Sequence, residues 1–227
     1  MRRGWAIGVI TLAGLVAGVA VRAQDPKATL AAGAPVPTGF RAYVVADDRF
    51  APKVSPPKRQ DDRDPRDRTK MMHDLVVEHG LNPTIAVFTR GKLEKDSPAA
   101  RLAQALDPVV AKHRADNLGA YLVFLTLDKE FPQDDRRDEK GQFLRDLQAD
   151  AIRALATELK TPRVPFALAA AKSPQATAWG LGENDLVVVL YDRMKVTRAW
   201  AFPAGQAPTD EQIKEIAAAA DKLASGG

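Results

Sequence analysis

The chain has 227 residues, a formal charge of +4 and no cysteine. The missing sulfhydryl excludes disulfides, thiol catalysis and a lipid attached through cysteine. Three of the arginines, Arg2, Arg3 and Arg22, lie in the first 22 residues. Without them 30 basic residues face 29 acidic ones, and no large field is left to draw nucleic acid or an anionic membrane.

Arg2 and Arg3 precede an apolar run from Trp5 to Val21, and Val21-Arg22-Ala23 offers a cut before Gln24. These parts form a secretory signal over residues 1–23. The twin arginines lack the flanks of a twin-arginine signal, so the general export route is expected, to the periplasm or the exterior. The run is close to the ~17-residue lower limit of a spanning helix. An uncleaved segment tethering the chain to the inner membrane is therefore the alternative, and the only membrane contact expected. What remains suits one domain with a sizeable core.

Residues 24–38 are rich in Pro, Ala and Gly and read as a flexible leader; the domain is expected over 39–224. Phe40 to Val45 is a short β-prone run. Residues 46–68, with stretches such as PPKRQDDRDPRDR, mix charge with proline and predict a solvated loop. Its Lys58–Arg68 part is a charged arm with docking potential, although a plain surface insertion is the preferred reading.

Thr69 to His79 has helical spacing, with Met72, Leu75, Val76 and, as one reading, His79 on one face and Gly80 as the stop. TIAVFT (Thr84 to Thr89) predicts a buried strand. Ser97 and Pro98 open the next helix, whose apolar side carries Leu102, Leu106, Val109 and Val110. Pro108 is expected to kink or restart that helix, with Asp107 as a local cap. LGAYLVFLTL (Leu118 to Leu127) is apolar on both faces, as a covered central strand must be. From Gln142 to Lys160, Phe143, Leu147, Ala151, Leu155 and Leu159 recur every four residues, widened by Leu144 and Ile152. Val164 to Ala169 predicts a strand and Pro174 to Gly180 a short helix. Leu186–Tyr191 and Val196–Phe202 flank a turn over Asp192–Lys195 and predict a hairpin. Thr209 to Gln212 is a capping box, opening a helix with Ile213, Ile216, Ala220 and Leu223 inward.

Polar clusters are few. His73, Asp74, Glu78 and His79 share the first expected helix, but each adjacent pair points apart, and the two histidines miss the i,i+4 spacing of a zinc site. Asp74 and Glu78 have the spacing to hold a hard cation loosely; the plainer reading is a solvated set, with His79 capping the helix C-terminus. His113 sits where a positive group suits the helix dipole, a structural role. Gly180-Leu181-Gly182 is a weak phosphate signal and reads as a turn. Trp179 and Trp200 are expected in the core.

Strands alternating with helices imply an α/β chain with a mainly parallel central sheet, flanking helices and a C-terminal antiparallel hairpin. This order, and VPFALAAAKSPQATAWGLGENDLVVVLYDRMKV in particular, resembles the thioredoxin-like superfamily, with the pattern of peroxiredoxins and thiol-disulfide oxidoreductases. HGLNPTIAVFTRG is similar to a group of exported thioredoxin-like proteins of planctomycete type. The resemblance spans about residues 84–224. In redox members of that superfamily a Cys-x-x-Cys pair opens the helix after the first central strand, and a cis-proline stands before the hairpin. Here Lys92 to Ser97 (KLEKDS) has no sulfur, and Asn184-Asp185 takes the proline's place.

The resemblance thus implies a redox-inactive, exported, non-catalytic interaction or scaffold module without cofactor or metal. Its candidate crevice is Thr89, Arg90, Gly91, Lys92, Asn184 and Asp185, and its expected partner is another envelope protein. The alternative is a cysteine-independent enzyme in the same crevice, which needs at least two of Asp74, Glu78, His79, Arg90, Glu183 and Asp185 to converge in one pocket with a perturbed titration.

Overall fold

A computed structural model describes residues 30–37, 39–50, 66, 68–127 and 139–226. The signal segment 1–23, the start of the leader and most of the charged loop lie outside the described residues. Among the described residues no helix is long and apolar enough to cross a membrane.

The strands are β1 (Arg41–Ala46), β2 (Met72–Asp74), β3 (Thr84–Thr89), β4 (Gly119–Leu127), β5 (Phe166–Ala170), β6 (Asn184–Asp192) and β7 (Lys195–Pro203). The helices are α1 (Leu75–His79), α2 (Pro98–Lys112), α3 (Glu139–Leu159), α4 (Pro174–Ala178) and α5 (Asp210–Ala224). One seven-stranded sheet runs β2-β1-β5-β4-β3-β6-β7. Only β3–β4 and β4–β5 pair in parallel; the other four pairings are antiparallel. The α/β character and the terminal hairpin are as expected, but the sheet is parallel only at its centre, because β1 and β2 join beyond β5 in the opposite sense.

β3 and β4 carry apolar side chains on both faces because each face has its own core. Ile85, Val87, Leu122 and Phe124 pack with α2, α3 and α5. Ala86, Phe88, Tyr121 and Val123 pack with α1, α4 and Trp179. Leu30 and Val36, from the segment read as leader, are buried in this second core. Their stretch is held by bonds from the Gly33 amide to the Val196 carbonyl (2.7 Å) and from the Val36 amide to the Met194 carbonyl (2.9 Å). The packed body therefore begins before residue 39.

Thr69 to His79 is not one helix. Met72–Asp74 is extended and pairs with Tyr43–Arg41, satisfying what would otherwise be an open sheet edge. The helix starts only at Leu75, because Asp74 is its N-cap: one carboxylate oxygen accepts the amides of Val76 (3.0 Å), Val77 (3.1 Å) and Phe40 (3.2 Å). Gly39 packs against this carboxylate with φ +62°, and a Cβ there would fall 2.6 Å from the other oxygen, so only glycine fits. Replacing Asp74 by Ala should orphan three donors and destabilise the fold by about 2–3 kcal/mol, while Asn should retain most of that. Denaturant midpoints of the two variants check this; equal losses would show that the cap is not the cause.

Pro108 neither kinks nor restarts α2, which runs unbroken to Lys112. Asp107 caps nothing within it; its carboxylate accepts the Arg163 amide at 2.7 Å and ties α2 to the loop before β5. In α3 the inward residues are Ala149, Ile152, Leu155 and Leu159, whereas Phe143, Leu144 and Leu147 are exposed. Ala151 is exposed as well, so of the residues recurring every four positions only Leu155 and Leu159 face the sheet. The hairpin turn is tighter than expected. Only Arg193 and Met194 link the strands, both left-handed (φ 48° and 59°), as a two-residue turn of matching twist requires.

α5 begins at the expected capping box and leans on α2. His113, at the end of α2, lies 2.8 Å from both Asp116 and Asp221, and Lys112 also reaches Asp221 (2.6 Å). These carboxylates, Asp116 first, raise the His113 pKa, which is the structural role expected for it.

Candidate functional site

The crevice expected from the sequence lies where β3 ends beside the start of β6. Antiparallel pairing sets Thr89 opposite Leu186. The Thr89 hydroxyl donates to the Asp185 carbonyl (3.1 Å) and accepts the Gly91 amide (2.9 Å), and the Arg90 amide also reaches that carbonyl (2.8 Å). The Asn184 amide group donates to the Leu181 carbonyl (3.1 Å), and the Asp185 carboxylate accepts the Gly205 amide (2.7 Å).

Arg90 crosses the gap. Its guanidinium donates to the carbonyls of Ala171 (3.4 and 3.3 Å) and Gly182 (2.5 Å), strapping the end of β5 to the loop before β6. A cavity of about 460 Å³ opens beside it, lined by Arg90, Lys172, Ser173, Thr177 and Glu183. Of the six expected residues Arg90 alone is among those lining this space; Thr89, Gly91, Asn184 and Asp185 are held at the β3–β6 junction by the bonds above. Lys92 is exposed, 3.9 Å from Glu94.

Lys172 and Ser173 were not singled out by sequence reasoning. The available signal was Ser173-Pro174, a helix start, and Ser173 does cap α4 through the Ala176 amide (3.0 Å). At the start of α2, where redox relatives keep a thiol, Ser97 accepts the Ala100 amide instead (3.3 Å).

Two of the six acid/base candidates meet in this crevice and the other four do not. Arg90 and Glu183 line it, and Asp185 is spent on Gly205. Asp74 is the cap of α1 rather than half of a cation site. Glu78 accepts Arg49 at 2.5 Å and lies 3.2 Å from His73. Arg49 in turn grips Asp47 through two bonds of 2.8 and 2.7 Å.

His79 is not a solvated cap. It is 7% exposed and stacked on Tyr121, with centroids 5.7 Å apart and planes at 15°. Burial, reinforced by the positive charge of Arg49 and by His73, lowers its pKa to about 3. With Glu78 it lines a second cavity, of about 580 Å³, at the opposite end of β3. Arg66 and Arg68 of the charged arm line it too. Trp179 and Trp200 are core residues as expected, with Arg198 lying 4.4 Å over the Trp200 ring.

The fold is thioredoxin-like, in a form without cysteine. Mycobacterium bovis AhpC superposes with a TM-score of 0.51 at 16% identity, covering 87% of this chain and 94% of that one. The yeast mitochondrial 1-Cys peroxiredoxin gives 0.51 at 10% identity, covering 86% and 76%. An uncharacterized conserved protein from Geobacillus kaustophilus gives 0.52 at 15% identity, covering 87% and 84%. At these identities the likeness is one of fold. No family model and no curated protein matches the sequence.

Proposed function

We infer that this protein is an exported, non-catalytic thioredoxin-like module that holds an envelope protein partner in the crevice at the end of β3. One observation carries the reading. Between the end of β3 and the helix start where a redox relative keeps its thiol, this chain presents an arginine already bonded to two backbone carbonyls. Such a group braces a surface and does not attack a bond. The crevice beside it stays open, with Lys172 and Glu183 exposed at its mouth, a mixed-charge rim suited to a protein surface. The crevice gathers Arg90 and Glu183 without a histidine, while Glu78 and the pKa-shifted His79 share the other cavity, which favours holding over catalysis at the crevice itself.

A photo-crosslinker placed at Thr177 should capture an envelope protein in whole cells, and mass spectrometry of the product should show a chain beginning at Gln24. The double charge reversal Lys172→Glu with Glu183→Lys should keep the melting point, since both side chains are exposed, with stability changing by no more than about 0.5 kcal/mol. The capture should fall at least about tenfold, the factor that 1.4 kcal/mol of lost interaction produces. Equal capture by wild type and double variant would remove the crevice from consideration.

A further inference from the structure

We propose that the second cavity, at the N-terminal ends of β3 and β4, binds a small organic molecule carrying two or more phosphate or carboxylate groups. Its walls come from stretches far apart in sequence. Arg49, Arg66 and Arg68 come from the arm after β1, Arg114 from the end of α2, and Arg163 from the loop before β5. The acids lining it are Asp48 and Glu78, against five arginines of which Arg66 and Arg68 already hold contacts of their own.

Gathering like charges costs free energy, and an anion in the hollow would repay it. Glu78 and Arg49 already satisfy one another, with Asp47 closing the group. Arg114 and Arg163 make no side-chain hydrogen bond or ion pair among the described residues, and both line the hollow. Arginine forks suit planar carboxylates and phosphates in two-point contact. Asn82 and Asn117 add neutral amides at the mouth.

The interior is not uniformly polar. Val110, Leu118, Ala120 and Pro162 give it an apolar side for a carbon skeleton. His79 forms part of the wall where it meets Gly119. A Cβ at residue 119 would lie 2.2 Å from the His79 Nδ1, so the missing side chain keeps the imidazole in place. The Nε2 of His79 is enclosed and has no hydrogen-bond partner among the described residues. A buried polar atom left unpaired costs about 1–3 kcal/mol, and such atoms gather at binding sites. A volume of about 580 Å³ falls within the ~300–1,000 Å³ of small-molecule pockets. This site is separate from the partner crevice, and either reading stands if the other fails.

Calorimetry on the protein purified from the cells that export it, at low salt, tests the proposal with fructose 1,6-bisphosphate, citrate and glucose. At least one anion should bind saturably at a single site, with an affinity that falls as salt is added, and glucose should not bind. Binding of the bisphosphate alone assigns the site to phosphates, and of citrate alone to carboxylates. Arg114→Gln and Arg163→Gln should each weaken that binding about tenfold, the loss of one charge-assisted contact. Their melting points should match wild type, and Lys172→Glu in the distant crevice should bind as wild type does. The proposal is overturned if neither anion binds, or if both arginine variants bind as wild type does.

Discussion

Acidifying the protein from about pH 7 to about pH 4.5 is expected to cost the fold about 2–3 kcal/mol through His79 alone. In the unfolded chain this imidazole titrates near its ordinary value of 6.5; in the folded protein burial, then Arg49 and His73, hold it neutral down to about 3. A histidine with a depressed folded pKa contributes stability that is complete above the unfolded value. That stability drains away as pH falls toward the folded value, because the unfolded chain takes up a proton the fold refuses.

Denaturant titrations at stepped pH measure this slope, and His79→Leu, of similar volume, should abolish it. Parallel curves for the two proteins would mean that the imidazole is not held neutral. His113 works in the opposite sense. Its raised pKa adds stability that is full below 6.5 and is lost as pH rises through its folded value, but it is common to both proteins and cancels in the comparison.

Truncating Trp179 to Ala should cost about 4 kcal/mol, the larger end of aromatic core deletions. The ring is fully buried and meets Phe88 at 5.2 Å, Phe40 at 6.0 Å and Tyr191 at 6.2 Å, and its Nε1 donates to the Gly39 carbonyl at 3.3 Å. It joins α4 to the strand entering the sheet and to the hairpin, so no single neighbour can collapse into the void. The denaturant midpoint should fall with an unchanged slope. Trp179→Phe should recover about half of the loss, because it refills much of the volume but abandons the Gly39 carbonyl. A loss below about 1.5 kcal/mol for the Ala variant would show that the second core does not depend on this ring.

The two faces of the sheet differ in how much of them could be read in advance. β3 and β4 were visible because a strand covered on both sides needs an unbroken apolar run, which their residues supply. The caps of α2 and α5 were visible because Ser97 and Thr209 act within three residues of themselves. The first helix was misjudged because Met72 and His73 have acceptable helical spacing, and only β1, some thirty residues earlier, offers them a better pairing. α3 shows a different limit. Its apolar residues recur on more than one face, and periodicity cannot tell which of them meets the sheet.

The candidate sites divide in the same way. The crevice at Arg90 could be placed from the resemblance, because the order of strands carries it to the end of β3. For His79 the spacing with Leu75 and Val76 points inward, while its polar neighbours His73, Asp74 and Glu78 point to a solvated cap, and local pattern does not choose between them. The burial of His79 comes from Tyr121 on β4 and from Gly119, which leaves the imidazole room.

Composition and local pattern alone determined that this chain has no thiol to react with and that covered strands alternate with capped helices. Those properties live in single residues or in neighbours a few positions apart. Folding alone decided which strand closes the sheet edge, that His79 stays uncharged, and that Arg49, Arg114 and Arg163 face one hollow. Each of these depends on segments tens of residues apart, brought together by burial of two apolar faces, and no local spacing encodes that meeting.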